Sequence, residues 1–250
     1  MNICLGLDLG QQRDYSALVV SERVHRIIPR IPRESSFLHH DDGPEVEDVY
    51  MVRHTQRWRL GTPYTAVIDD VAELMRRPDL DSSLLVFDRT DVGGAVADLV
   101  DKVWREGRMW RGERPYGSAG CTPRGITFTA GFAAHGAAEG YLFDETAHKG
   151  DVIRRMTMLL SGARLTLPPG LPNGPQLEKE LRAYTIKQHK KTGNEYTEAK
   201  RESDHDDMVI ALALSVWIKN FYGPEPRYID AQTSELREKP EGTRVYTAAT

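Results

Sequence analysis

The segment 208–218 constrains the fold of this chain most, because only Ser215 in it is polar. The pattern predicts a helix buried on nearly all sides rather than an amphipathic surface helix. Three aspartates and one histidine precede it, in Asp204–Asp207. Carboxylates at the edge of a core are costly, and a helix dipole offsets only about 0.3–1 kcal/mol for each. A divalent cation would offset much more, whereas the simpler interpretation is an N-cap formed by Ser203 or Asp204.

Two further aspartates stand at the ends of predicted strands. Residues 2–9 alternate in polarity and predict a strand that delivers Asp8 to its end, and 83–87 predict a short buried strand followed by Asp88. In α/β sheets, functional groups gather at the carboxyl ends of parallel strands. We therefore expect Asp8 and Asp88 to lie close together, with Asp206 or Asp207 completing the cluster.

An all-carboxylate cluster suits Mg²⁺ or Mn²⁺ better than zinc. Two such ions, about 3.5–4 Å apart, activate water and stabilise the leaving oxygen in phosphodiester hydrolysis. Asp207 shares a helix face with Ile210, Ala211 and Leu214, so we expect its side chain to point toward the sheet. Asp206 lies one step around the helix and is the competing candidate.

The remaining patterns predict a mixed α/β sheet flanked by helices. Five strands are expected, the first three antiparallel and the later ones parallel. Thr62-Pro63 predicts a helix start with Thr62 as the N-cap. Residues 182–199 are expected to hold a basic hairpin, within a domain that spans 1–222 and precedes a polar tail at 223–250.

The net charge of −4 means that any nucleic-acid binding must use a local basic patch. The hairpin and its surroundings supply the candidates, although lysine-rich hairpins are also common as solvated edges. Beside an aspartate cluster, they favour contact with a DNA backbone. The candidate DNA-binding residues are Lys149, Arg182, Lys187, His189, Lys190 and Lys191.

Several classes of protein are excluded or disfavoured. Cys4 and Cys121 provide neither a disulfide framework nor a zinc set. The sequence lacks a GxxxxGK[ST] motif, which excludes a P-loop ATPase, and a signal-peptide pattern is not found at residues 1–20. The segment His39–Asp42 has metal-binding residue types but no apolar frame around it.

Five short motifs occur in order along most of the chain. They are Gly6–Gly10, Arg59–Tyr64, Phe87–Gly93, Thr127–Gly131 and His205–Met208 with its Ala-Leu-Ala-Leu continuation. Together they resemble the nuclease domain of the large terminase subunit of tailed bacteriophages. That domain belongs to the ribonuclease H-like superfamily, as do the Holliday-junction resolvases.

The resemblance implies a ribonuclease H-like fold and a metal-dependent endonuclease that cuts concatemeric viral DNA during genome packaging. Carried over by motif, Asp8 would bridge two Mg²⁺ or Mn²⁺ ions and Asp88 would bind one. Asp207 would be the third ligand, with Asp206 as its competitor. Asp91, Asp204 and His205 are expected next to the ligands rather than among them.

The implied partners are double-stranded DNA, a packaging ATPase domain or subunit, and also the portal and the small terminase subunit, without a membrane. The implied location is the host cytoplasm. A complete large terminase carries an N-terminal ATPase, so we expect this chain to be an excised domain or a separately encoded nuclease subunit. Three alternatives stay open: a resolvase-like nuclease for branched DNA, an actin-like phosphate loop at Gly6–Gly10, and a catalytically inactive module of a packaging motor.

Overall fold

The structure is a computed structural model. It describes residues 2–10, 14–28, 45–80, 83–90, 93–106, 123–129, 144–188, 195–199, 205–217, 227–230, 232–233 and 235–238. Within these ranges, nine strands form one mixed sheet and two form a separate hairpin. The sheet contains β1 (Asn2–Asp8), β2 (Ala17–Ile28), β3 (Glu45–Arg57), β4 (Leu84–Asp88), β5 (Arg124–Thr129), β6 (Asp144–His148), β7 (Leu165–Thr166), β10 (Arg227–Asp230) and β11 (Leu236–Arg237).

The strand directions confirm the predicted mixed sheet. Strands β1, β2 and β3 pair antiparallel, and β1, β4, β5 and β6 pair parallel. The predicted count of five strands is wrong, since the described sheet has nine. The strands β6, β10 and β11 are not predicted because they have two to five residues with only one or two apolar ones. The sequence predicts a short strand at 164–167, which matches β7, but not its place in this sheet.

Five α-helices are described, with a short 3-10 helix at Pro78–Leu80, and the α-helices cover both faces of the sheet. They are α1 (Tyr64–Met75), α2 (Gly93–Arg105), α3 (Lys149–Ser161), α4 (Gly174–Ala183) and α5 (Asp207–Ser215). Helices α1 and α2 share one core with the side chains of Leu5, Leu7 and Phe87. The other three helices share a second core with the opposite face of β2 and β4. Among the described residues, no helix is long and apolar enough to cross a membrane.

The predicted buried helix is confirmed as α5, whose residues are all buried. Its backbone lies directly on β1 at Gly6. A Cβ atom there would lie 2.5 Å from the Ser215 amide nitrogen and still closer to the Ala211 carbonyl oxygen. The one polar side chain of the run, Ser215, forms a 2.7 Å hydrogen bond with the Ser21 hydroxyl of β2. Gly6 therefore permits the close contact between helix and strand.

Two predicted helix caps are wrong. The N-cap residue of α5 is Asp206 rather than Ser203 or Asp204, and its side chain makes no capping hydrogen bond. The N-cap of α1 is Pro63, because the Thr62 hydroxyl donates instead to the Arg59 carbonyl oxygen at 2.7 Å. In α5 the acidic side chains are consequently available for another role.

The predicted basic hairpin is confirmed in its backbone. Strands β8 (Tyr184–Gln188) and β9 (Glu195–Ala199) pair antiparallel directly after α4. In the predicted polar tail, β10 pairs parallel with β2, and the Arg227 guanidinium donates to both carboxylate oxygens of buried Glu22 at 2.7 and 2.6 Å. The division into a domain at 1–222 and a tail at 223–250 stays a prediction.

Candidate metal centre

One edge of the sheet gathers the carboxylates that the sequence singled out. Asp8 ends β1 and Asp88 ends β4, and the parallel register pairs Leu7 with Phe87, so the two aspartates follow side by side. The Asp88 carboxylate accepts a 2.7 Å hydrogen bond from the backbone N–H of Thr90, which fixes the turn after β4. Asp8 also pairs with Ala17, at the start of β2. The strands thus deliver both acids to the same place.

The environment of Asp8 strongly opposes its ionisation. Desolvation by burial raises the pKa of Asp8 well above its usual value, and repulsion from Asp88, Asp207 and Asp206 raises it further. The Lys149 ammonium acts in the opposite direction. A carboxyl group surrounded by three others is an unfavourable arrangement for the protein alone and a suitable donor set for a divalent cation.

Helix α5 contributes the two adjacent aspartates in different environments. The side chain of Asp207 is 5% exposed, whereas that of Asp206 is 29% exposed and lies 3.9 Å from the Lys149 ammonium. Burial raises the pKa of Asp207 to about 6, although a hydrogen bond from Arg57 opposes that rise. The low exposure of the Asp207 side chain is consistent with the inward orientation expected for it.

Arg57 and Glu180 support Asp207 from neighbouring elements. The Arg57 guanidinium, at the end of β3, donates to Asp207 at 3.2 Å, lies 3.7 Å from Glu180 and stacks 3.6 Å from the Tyr15 ring centroid. Glu180 of α4 is buried and accepts a 2.9 Å hydrogen bond from the Met208 N–H. Its carboxylate thus satisfies an N-terminal amide of α5 that no residue of that helix satisfies.

A second group of ligand atoms adjoins Asp207. One ligand atom each from Asp14, His205 and Asp207 lie within 4.8 Å of one another, which is close enough to hold a metal ion. His205 Nδ1 is 3.9 Å from Asp14 and 4.0 Å from Asp207, and its ring packs edge-on against Tyr15. Two carboxylates and one imidazole suit a divalent cation. These residues fit a metal centre that extends from Asp207 toward the β1–β2 connection.

The predicted DNA-binding residues are spread more widely. The edge of the sheet where Asp8, Asp88, Asp206 and Asp207 gather is called the acidic edge below. Lys149 begins α3 and lies beside Asp206 at this acidic edge. Arg182 is 81% exposed on α4 and pairs with Glu178, one turn earlier, rather than with an acid of the cluster. Lys187 lies in β8, where the structure describes the backbone. The remaining predicted site residues lie outside the described part of the chain: Asp91, His189, Lys190, Lys191 and Asp204.

Sequence reasoning missed Asp14, Arg57 and Glu180. Asp14 follows Asp8 by six residues, in the connection after the first strand, and no metal-binding motif includes it. The proximity of Arg57 to Asp207 depends on the strand register, in which Arg57 pairs with Ala17. Glu180 carried a usable signal: it lies three residues after the buried Leu177, on the apolar side of α4.

Comparison with solved structures identifies the fold. The chain matches the large terminase nuclease of thermophilic phage G20c with a TM-score of 0.51 and 19% identity, over 88% of this chain and 83% of that one. It also matches the terminase nuclease domain of human cytomegalovirus, soaked with Mn, at a TM-score of 0.44 and 9% identity, over 86% and 82% of the two chains. The chain also matches the Mn-bound nuclease domain of the bacteriophage SPP1 large terminase, with a TM-score of 0.42 and 13% identity, over 86% of this chain and 85% of that one.

The fold is therefore that of a large-terminase nuclease domain, which confirms the predicted ribonuclease H-like class. No protein-family model matches the sequence, and neither does any curated protein. The structural likeness establishes the architecture, while the chemistry must be argued from the residues at the acidic edge.

Proposed function

We propose that this protein is a metal-dependent DNA endonuclease that cuts concatemeric viral DNA during genome packaging. The observation that carries the proposal is the convergence of two aspartates at the carboxyl ends of adjacent parallel strands, Asp8 and Asp88, with two at the start of α5, Asp206 and Asp207. Burial and mutual repulsion make this cluster costly without a cation. The similarity of the fold to that of a solved large-terminase nuclease supports the proposal.

The proposed cofactor is a pair of Mg²⁺ or Mn²⁺ ions. Asp8, Asp88 and Asp207 would hold them, with Asp206 as the alternative to Asp207 and with Asp14 and His205 as additional donors. When bound, such ions lower the pKa of water and stabilise negative charge on phosphate oxygens. The oxygen-rich donor set favours these metals over zinc.

The protein's own residues hold the acids in place. Arg57 fixes the orientation of Asp207 through its hydrogen bond and balances part of the local negative charge. Glu180 anchors the start of α5 through the Met208 amide, which keeps Asp207 directed toward the sheet. Lys149, beside Asp206, provides a cation for an approaching DNA phosphate.

The proposed macromolecular partners follow from this activity. Double-stranded DNA would lie across the acidic edge, with the hairpin β8–β9 as a further backbone contact. A packaging ATPase domain or subunit, the portal and the small terminase subunit would complete the machinery in the host cytoplasm. Base-specific contacts are not required by this proposal, since its DNA contacts are to the phosphate backbone.

Cleavage of a supercoiled plasmid tests the proposal. We expect the protein to nick and linearise the plasmid in Mn²⁺ or Mg²⁺ and to be inactive in EDTA. Asp8→Asn and Asp88→Asn should each reduce the rate by more than about 100-fold, because loss of a ligand should cost at least as much as loss of a residue that only orients one. The control Asp98→Asn, on the exposed face of α2, should cut normally.

Two results would contradict the proposal. Unchanged cleavage by Asp8→Asn would show that the acidic edge is not the catalytic centre. Cleavage of a four-way junction without cleavage of linear duplex would favour the resolvase-like alternative instead.

A further inference from the structure

A small cavity lies beside the acidic edge and is lined by the motif Arg59–Tyr64, which the proposed catalytic centre does not use. Its volume is about 160 Å³. Gly10, Asp14 and Ser16 of the β1–β2 connection form one wall, and Arg59, Thr62 and Tyr64 of the β3–α1 connection form the other. Because a water molecule occupies about 30 Å³ of liquid, the space suits a group the size of a phosphate.

The cavity is connected to the candidate metal centre through Asp14. This residue lines the cavity and also contributes a ligand atom to the group with His205 and Asp207. The strand register explains the proximity, since the end of β3, the start of β2 and the end of β1 pair side by side through Arg57, Ala17 and Asp8. A ligand in the cavity would therefore adjoin a ligand at the acidic edge.

The walls are held in place, whereas the Arg59 side chain is available. The Trp58 N–H donates to the Ser16 carbonyl oxygen at 3.0 Å and ties the two connections together. The Arg59 carbonyl oxygen accepts from the Thr62 N–H at 3.1 Å and from the Thr62 hydroxyl at 2.7 Å. Arg59 is exposed, and within the described part of the chain its guanidinium makes no ion pair.

We propose that this cavity binds a backbone phosphate of duplex DNA next to the phosphate that is cleaved, with Arg59 as the principal donor. The inference rests on the proposed function and deepens it. A guanidinium presents two parallel donors to phosphate oxygens, and the polar residues Ser16 and Thr62 line the same space. A metal ion is a poorer fit because Asp14 is the single acid in the lining.

The test is the salt dependence of DNA binding by Arg59→Gln. Binding of a fluorescent duplex is measured by anisotropy in Ca²⁺ between 50 and 300 mM KCl, values chosen to resolve a slope of about 0.9 per phosphate contact. We expect the slope to fall by about 0.9 and the affinity at low salt to fall about tenfold, the loss of one charge-assisted hydrogen bond. Arg59→Lys should restore the slope because it keeps the charge.

The matched control is Arg76→Gln, which removes the same charge at the far end of α1, a helix about 18 Å long. It should bind like the unaltered protein, and thermal unfolding should be the same for all variants. The inference would be overturned if Arg59→Gln bound DNA with the slope and affinity of the unaltered protein, or if Arg76→Gln lost as much affinity as Arg59→Gln. Neither result would contradict the nuclease proposal, provided that the unaltered protein cleaves plasmid. The expected slopes without any plasmid cleavage would instead contradict the nuclease proposal and leave the phosphate site supported.

Discussion

Asp8 lies half-buried beside three other carboxylates, Asp88, Asp206 and Asp207. Its ionised form is costly in the metal-free protein, because desolvation and repulsion from these carboxylates outweigh the attraction of the Lys149 ammonium. Such strain is common where a site must bind a cation, since an arrangement that is optimal for binding is not optimal for stability. Asp8 should therefore lower the stability of the metal-free protein.

The substitution Asp8→Asn is expected to raise the Tm of the metal-free protein. The folded-state pKa of Asp8 is raised, so folded protein binds more protons than unfolded protein above about pH 4, and ionisation removes stability as the pH rises. The Tm difference between variant and unaltered protein should therefore be near zero at pH 4 and increase toward pH 8. Differential scanning fluorimetry in EDTA measures it.

Added Mn²⁺ should reverse the order of the two Tm values, so that the unaltered protein unfolds at the higher temperature. A ligand at 100 times its Kd stabilises the protein that binds it by about 2.7 kcal/mol, and Asp8→Asn should lose most of this gain. Asp98→Asn serves as the control because it removes the same charge from an exposed position on α2. A Tm for Asp8→Asn that stays below that of the unaltered protein at every pH in EDTA would contradict this account of Asp8.

At the scale of elements, the contact between α5 and β1 positions the site. The helix approaches the strand closely at Gly6, two residues before Asp8. The buried hydrogen bond between Ser21 and Ser215 fixes the opposite end of the same helix over β2. Arg155 of α3 adds a 2.6 Å hydrogen bond to the Val216 carbonyl oxygen after the helix. These contacts set the distance between Asp207 and Asp8.

Gly6→Ala is expected to destabilise the protein by about 2 kcal/mol or more. The new methyl group would meet the α5 backbone, and the helix would have to move away from the strand. Urea unfolding measures the change. Gly94→Ala in α2 is the matched control: a Cβ there meets nothing within 4 Å, and the change should stabilise by about 0.5 kcal/mol. Equal stability of both variants would contradict the close packing of α5 on β1.

At the scale of the molecule, the acidic edge lies between cations. Arg57 and Arg59 stand on the β3 side, and Lys149 stands on the α3 side, although the whole chain carries a net charge of −4. A duplex drawn to this edge would meet positive charge on both sides of the carboxylates. Under the proposed function, this local charge would matter more for DNA binding than the overall composition does.

The convergence of the acids was predictable from the sequence because it depends on local patterns. Asp8 and Asp88 each end an apolar strand, and parallel strands place such ends together. The apolar run after Asp207 predicts a buried helix, which the structure confirms as α5.

The supporting residues could not be predicted in the same way. Arg57 reaches Asp207 only through the pairing of β3 with β2. The position of Glu180 on the apolar side of α4 indicates that it points inward, but its contact with the start of α5 depends on how the two helices pack. Both relations join residues that are far apart in sequence. Strand β10 is similar, because it is held by Arg227 and the buried Glu22, which lie 205 residues apart. Tertiary contacts of this kind leave no periodic signal in a single sequence.

The most direct test of the metal centre is an anomalous difference map from crystals soaked in Mn²⁺. The account predicts two peaks about 3.5–4 Å apart, with Asp8 between them and with Asp88 and Asp207 as further ligands. Crystals of Asp8→Asn should lose one or both peaks. A map with no peak at the acidic edge, or with peaks whose ligands do not include Asp8, would contradict the central claim.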